Sequence, residues 1–353
     1  MADGRALFFA FLLLARPCVA QSPAAPSTTP APEPPLRRWF EIQSFTASTR
    51  YRFISSNAGV VSANDLQYKE TFRARLSADR ARRYTLNIGV FSGSSFIGSW
   101  DNTGLGLNRG DYRSHYIKQL FAAVTPVRGV EMQVGGLYVT RGEMTEFASY
   151  DDDGYVVGER VSVRRPDRLY LDEVSVSHGM IGPSNTPNLL KRWNGFSHAN
   201  YDQVLVSKRV IPSVTASFDY STQSGAETIR AAVSVRFAPA APLSGLRYEQ
   251  YRRLNARAAG GFVLTAERPI TRWVRLQGGY ASIDEHYGNL NADRIQRGRR
   301  AFAIAAVPIV GPLSATVFVT RALGAAYAIS NRTRFDAVLQ YDVLSSLRKT
   351  GRI

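Results

Sequence analysis

Leu66, Tyr68, Glu70, Phe72, Ala74 and Leu76 alternate along the chain with Gln67, Lys69, Thr71, Arg73 and Arg75. Successive side chains of a β-strand point to opposite faces, so this segment has one apolar face and one polar face. The pattern recurs in Tyr84, Leu86, Ile88 and Val90, and in Val130, Met132, Val134, Gly136 and Tyr138. Further on come Val214, Ala216, Phe218 and Tyr220; Ile229, Ala231, Val233, Val235 and Phe237; and Phe335, Ala337, Leu339, Tyr341 and Val343. Glu70 interrupts the apolar face of its strand without an evident reason. Segments 116–124, 169–177 and 246–254 break parity, which predicts bulges there.

Two kinds of connection separate these segments. Asp79 to Arg83, Thr125 to Arg128, Arg165 to Asp167, Ile211-Pro212, Pro239 to Pro242, Pro269 to Thr271 and Gly311-Pro312 are short and mostly contain proline, and read as tight turns. Residues 55–65, 94–112, 141–154, 180–195 and 285–296 are longer and polar, and read as loops. Short turns on one rim and long loops on the other are the asymmetry of a transmembrane barrel. The predicted fold is therefore all-β, a single antiparallel transmembrane β-barrel. Its first strand runs from about Trp39 to Ile54. Taking Tyr155 to Val163 as a strand of its own gives about sixteen strands; otherwise the count is fourteen.

The N-terminus agrees with that address. Arg5, an apolar run from Ala6 to Ala15 and the small residues of Cys18-Val19-Ala20 form the three parts of an export signal over residues 1–20. The run is about half the length of a membrane-spanning helix. Lipid attachment at Cys18 is the alternative, opposed by Arg16 and Pro17 just before it. Residues 21–36 are rich in Pro, Ala, Ser and Thr and read as a disordered linker; 37–345 form the barrel, and 346–353 a short C-terminal tail. Cys18 is the only cysteine, so the exported chain has no disulfide. Removing Asp3, Arg5 and Arg16 with the signal changes the net charge from +16 to +15, mostly through arginine.

The face opposite the apolar one is the lumen wall. It carries Lys69, Arg73, Arg75, Arg230, Arg236, Arg275 and Arg334 against Glu131, Asp219, Asp336 and Asp342. A basic lining in a water-filled pore favours anions over cations; mutual pairing into a structural polar core is the other reading. The loop after the fifth strand is acidic, with Glu143, Glu146, Asp151, Asp152, Asp153 and Glu159. Aromatic residues near strand ends, Trp39, Phe40, Tyr51, Phe53, Tyr84, Tyr138, Tyr220, Trp273, Tyr280 and Tyr341 among them, suit two interfacial girdles.

A signal peptide, about sixteen alternating strands and a mature length of about 330 residues resemble the general bacterial porins of the outer membrane. In those barrels the third external loop folds inward and sets an acidic edge against an arginine-lined wall. The acidic loop here is also third in order. The resemblance covers the whole mature chain and implies outer-membrane lipid, small anionic or polar solutes and a possible homotrimer as partners, although no patch in the sequence marks an interface. It differs at the end: such barrels usually close on an aromatic residue, whereas this chain continues past Tyr341 to Ile353.

Other chemistry is sparse. The histidines are His115, His178, His198 and His286. Ser177-His178, and Ser197-His198 with Asn200, are the candidate hydrolytic sets, but adjacent residues of one strand point to opposite faces, so neither pair acts as nucleophile and base by itself. No cofactor, metal site or catalytic residue is expected. Arginines spread along strands of an exported protein do not form a nucleic-acid surface. The expected function is passive diffusion of small polar, preferentially anionic solutes; the rivals are a plugged structural or adhesion barrel, a lipid hydrolase and a soluble exported β-protein.

Overall fold

The computed structural model describes residues 39–56, 58–93, 116–145, 147, 155–164, 170–181, 189–191, 193–257, 259–271, 273–284, 297–324 and 331–350. The strands are β1 (Phe40–Ser56), β2 (Val61–Ser77), β3 (Tyr84–Gly93), β4 (Tyr116–Val127), β5 (Val130–Tyr138), β6 (Tyr155–Val163), β7 (Glu173–Met180) and β8 (Tyr201–Ile211). They continue as β9 (Val214–Gln223), β10 (Ala226–Arg236), β11 (Gly245–Arg253), β12 (Gly260–Pro269), β13 (Arg275–Ile283), β14 (Gly298–Val310), β15 (Leu313–Ala322) and β16 (Arg332–Asp342). Each pairs antiparallel with its sequence neighbours, and β1 closes on β16 with Thr46 opposite Asp342 and Ser56 opposite Arg332. Closure removes every sheet edge, so all sixteen strands have partners on both sides. Tyr155–Val163 is a strand in its own right, which settles the count between fourteen and sixteen.

The alternation seen in sequence becomes an inverted burial. On β2, Leu66 and Tyr68 face out and are 76% and 54% exposed, while Gln67 and Thr71 face in and are buried. Leu86, Met132, Val134, Phe218, Leu264 and Leu339 are likewise exposed on the outer face, and Arg50, Arg52, Gln203, Asp219, Arg230 and Asp336 are buried inside. A water-soluble protein places these classes the other way round.

Several local expectations change. Residues 55–65 are not a long loop: β1 and β2 extend through them to 17 residues each and join by a tight hairpin with Gly59 at φ +83°. Polar residues such as Ser55, Ser56, Ser62 and Asn64 disguise this extension, because the backbone pairing that holds it leaves no alternating pattern in the sequence. Pro126 lies not in a turn but near the end of β4, within an irregularity between Val124 and Val127 that accommodates its missing N–H. The predicted bulge in 116–124 is present, opposite Gly89 and Val90, and turns both Lys118 and Gln119 inward. β11 keeps a regular register on both sides, so 246–254 carries no bulge; its parity breaks because Tyr251 faces the interior. Strand β7 begins at Glu173 and pairs without a register shift. Tyr138 also leaves the apolar face, packing against the inward Phe121 at 6.0 Å between ring centroids.

The C-terminal tail is helical. Helix α1 (Val343–Lys349) is capped by Asp342, whose carboxylate accepts from Ser345 N at 2.9 Å and Ser345 Oγ at 2.6 Å. Its Arg348 donates to the Ile42 carbonyl of β1.

Part of the connection between β7 and β8 folds over the outer wall as two 3₁₀ turns, Leu189–Lys191 and Trp193–Ser197. Leu189 is fully buried against Val157, Leu120 and Met180. It seats above Gly136, where an added Cβ would lie 2.5 Å from Leu189 Cδ2.

Candidate functional site

The chain leaving β5 turns into the barrel. Thr140 exchanges hydrogen bonds with the Gln203 amide: its Oγ1 donates to Oε1 at 3.2 Å, and its carbonyl accepts from Nε2 at 2.9 Å. Glu143 N donates to Ser217 Oγ at 2.9 Å. The Glu249 carboxylate accepts from Thr145 Oγ1 at 2.7 Å and from Thr145 N. Met144 packs with Leu205 and Ala232. Phe147 enters a cluster with Tyr251, Val263, Ala281, Ile283, Phe302 and Phe318, its ring 4.6 Å from that of Phe302.

These partners occupy inward positions of β8 to β15, so residues 140–145 and Phe147 line one side of the interior. Five hydrogen bonds and two apolar anchors fix the segment there. Glu143 belongs to this inward segment, whereas Glu146, Asp151, Asp152 and Asp153 lie outside the described residues. Glu159 is not part of it: it stands exposed on the outer face of β6, between the inward Gly158 and Arg160.

The opposite wall, from β16 through β1 to β4, is basic. Arg52 and Arg334 both bind Asp336, at 3.2 and 2.9 Å, and Arg50 donates to Gln67 at 2.8 Å. Arg73 lies over the rings of Phe91 and Tyr138, 5.5 Å from each centroid. Arg75 donates to Asn87 at 3.1 Å and lies 3.7 Å from the Glu41 carboxylate. Lys118 is buried over Phe91, and Lys69 is half-buried between inward Gln67 and Thr71.

The remaining sequence candidates separate from this wall. Arg230 is fully buried against Asp219 at 2.8 Å and reaches Ser221 at 3.0 Å, beneath the inward segment. Arg236 and Arg275 are exposed at the ends of β10 and β13 next to the short turns. Arg50, Arg52, Lys118, Arg160 and Arg300 are inward basic residues that the sequence reading missed. Arg50 and Arg52 alternate with Tyr51 and Phe53, a readable signal; Lys118 sits in a bulge, and Arg300 is next-but-one to the inward Phe302.

The hydrolytic candidates also move. Ser197 and His198 do not share a strand, so the opposite-face argument fails for them: Ser197 Oγ lies 2.9 Å from His198 Nδ1 at the end of the second 3₁₀ turn. Asn200 does not orient that histidine through the bonds it makes here. Its Oδ1 accepts from Ile181 N at 2.9 Å, and its Nδ2 donates to Ile181 O and Ser224 Oγ. His178 is on the outer face, 2.7 Å from Asp202, while Ser177 faces inward and accepts from Arg160 at 3.0 Å. His115 and His286 lie outside the described residues. Among the described residues no group of three or more His, Cys, Asp or Glu side chains is arranged to hold a metal ion.

The architecture is that of a porin-like barrel. A structure described by the words "Asymmetric conductivity of engineered proteins" superposes with a TM-score of 0.55 at 11% identity, covering 86% of this chain and 100% of that one. A multiple mutant of the Rh. blastica porin gives 0.54 at 10% identity, with 85% and 99% covered, and a triple mutant of the Rhodopseudomonas blastica porin gives 0.54 at 11%, with the same coverage. No family model and no curated protein matches the sequence.

Proposed function

We propose that this chain is a passive pore of the bacterial outer membrane, exported by a cleaved signal peptide, that admits small polar solutes and prefers anions. The observation that carries this reading is the inverted wall: exposed apolar side chains outside and buried charged ones inside a closed sheet. Such a surface is stable where hydrocarbon meets the outside, and closure satisfies every backbone group there. Solutes would pass between the inward residues 140–145 with Phe147 and the basic wall of Lys69, Arg73, Arg75, Arg50 and Arg52. The acidic residues of the same loop, Glu143, Glu146 and Asp151 to Asp153, would narrow and polarise the passage. Buried pairs such as Arg230 with Asp219 carry no net charge, so selectivity would rest on the less neutralised wall. The same interior argues for a channel rather than an enzyme.

Reconstitution in planar bilayers tests this. Steady single-channel current with a reversal potential toward the anion side in a salt gradient is expected. A steady current with cation preference would refute the role of the basic wall, and no current at all would favour a plugged barrel.

A further inference from the structure

The inner surface of the short-turn mouth carries charge that the protein leaves unused. Arg209 near the end of β8, Arg236 ending β10, Arg247 near the start of β11 and Arg275 opening β13 all lie at that rim. Each shares strand parity with a residue already placed inside: Arg209 with Leu205, Arg236 with Ala232, Arg247 with Glu249 and Arg275 with Ala281. Arg209, Arg236 and Arg275 are exposed, and Arg247 is half-buried. Among the described residues no side-chain hydrogen bond or ion pair holds any of the four. The Nε of Arg247 is the clearest case, being buried with no protein group to accept from it.

Other charges at the same rim are engaged. Asp79 binds Arg83 at 3.1 Å, Glu173 binds Arg164 at 2.9 Å, and Glu41 lies 3.7 Å from both Arg75 and Arg82. The acids near the four arginines do not neutralise them. Glu249, next inward on β11, is clasped by Thr145, and Asp172 accepts from the backbone N–H of Arg209. Glu267 is the inward acid of β12 at this level, in register with Gly245. Gly245 is also opposite Arg236, so it separates the two without bringing a side chain into the mouth. A Cβ there would come no closer than 3.4 Å to a neighbouring atom. Arg236 and Arg247 therefore border an open notch.

Neighbouring strands are spaced by about 5 Å, so arginines spread from β8 to β13 suit several anionic groups of one ligand better than a single halide. The planar fork of a guanidinium matches two oxygens of a phosphate. All four side chains face the interior, where a dissolved anion reaches them and a lipid headgroup does not. We infer that Arg209, Arg236, Arg247 and Arg275 form a second anion station, apart from the basic wall of β16 to β4, that binds linked phosphates. It rests on the reading of the barrel as open to water at this mouth. A bound polyanion there would obstruct smaller anions leaving the passage.

Calorimetric titration of the folded chain in nonionic detergent with tripolyphosphate tests the station without recourse to current. Saturable binding is expected, with orthophosphate weaker by about tenfold or more because it engages fewer guanidiniums. Arg236→Gln/Arg275→Gln removes side chains that make no bonds within the protein, so the folded form is retained, and it should weaken tripolyphosphate by about tenfold. Arg348→Gln/Lys349→Gln removes the same charge from the exposed end of α1 and should leave the affinity within about twofold. Absence of saturable binding, orthophosphate binding as tightly, or equal losses in the two double variants would overturn the station. So would Arg73→Gln weakening the binding as much as the mouth variant, since the phosphates would then sit on the wall. Current in plain potassium chloride is read separately: conductance without tripolyphosphate binding removes the station and keeps the pore, and binding without conductance does the reverse.

Discussion

Asp219 and Arg230 face each other across β9 and β10 with both side chains fully removed from solvent. Removing one partner of a buried pair strands the other charge, so Asp219→Ala should destabilise the barrel by about 3–5 kcal/mol. The apolar double variant Asp219→Leu/Arg230→Met should cost much less. The temperature at which the folded band is lost on a gel measures both. Arg73 is held differently, by the faces of Phe91 and Tyr138, and in the proposed pore its charge would act on the passage. Arg73→Glu should lower anion preference clearly in a reversal-potential measurement, whereas Arg230→Gln should change stability more than selectivity. At Gly136 the space for a Cβ is already filled by Leu189. Gly136→Ala forces the Leu189 turn outward, and overpacking of this kind costs about 1–3 kcal/mol.

At the scale of elements, the inward segment of residues 140–145 and Phe147 depends on Phe147 and on the Glu249 clasp. Phe147→Ala should loosen it, since losing a buried phenylalanine costs about 3–5 kcal/mol; the expected readout is noisier single-channel current with an increased mean. Asp342→Ala removes the cap of α1 and costs about 0.5–2 kcal/mol, which should appear as faster amide exchange over residues 343–349. The elements differed in how plainly they could be read. Strands such as β3 and β10 announce themselves because their outer faces are apolar without a gap. β11 does not, since Tyr251 faces inward to receive Phe147, and a lone sequence cannot show which loop will dock on a strand. The paired polar ends of β1 and β2 look like loop because their side chains do not alternate, although their backbones pair. α1 escapes notice since seven residues with a single buried side chain, Leu344, carry too little periodicity. The basic wall was legible on β2, where parity is clean, and hidden on β4, where the bulge at Lys118 and Gln119 breaks it. Glu70 accepts a hydrogen bond from Ser92, its register partner on β3, a contact that a lone strand's alternation does not place.

At the scale of the whole molecule, pairing is between sequence neighbours everywhere except at one seam, where β1 meets β16 along the run from Thr46–Asp342 to Ser56–Arg332. That seam joins residues separated by nearly the entire described chain. Fifteen of the sixteen contacts could therefore form as the chain arrives, yet none of the resulting sheets lacks an edge until the last strand is in place. A chain ending before Arg332 would present two long unpaired borders, and the expected result of that truncation is aggregation rather than a smaller pore. The seam also puts the start and the end of the barrel side by side. Linking them and reopening the chain in the tight turn at Ser224-Gly225 should give a permuted protein with the same wall, whose heat resistance on a gel matches that of the parent. What the wall requires is that β1 and β16 both be present to pair, in whichever order the chain supplies them.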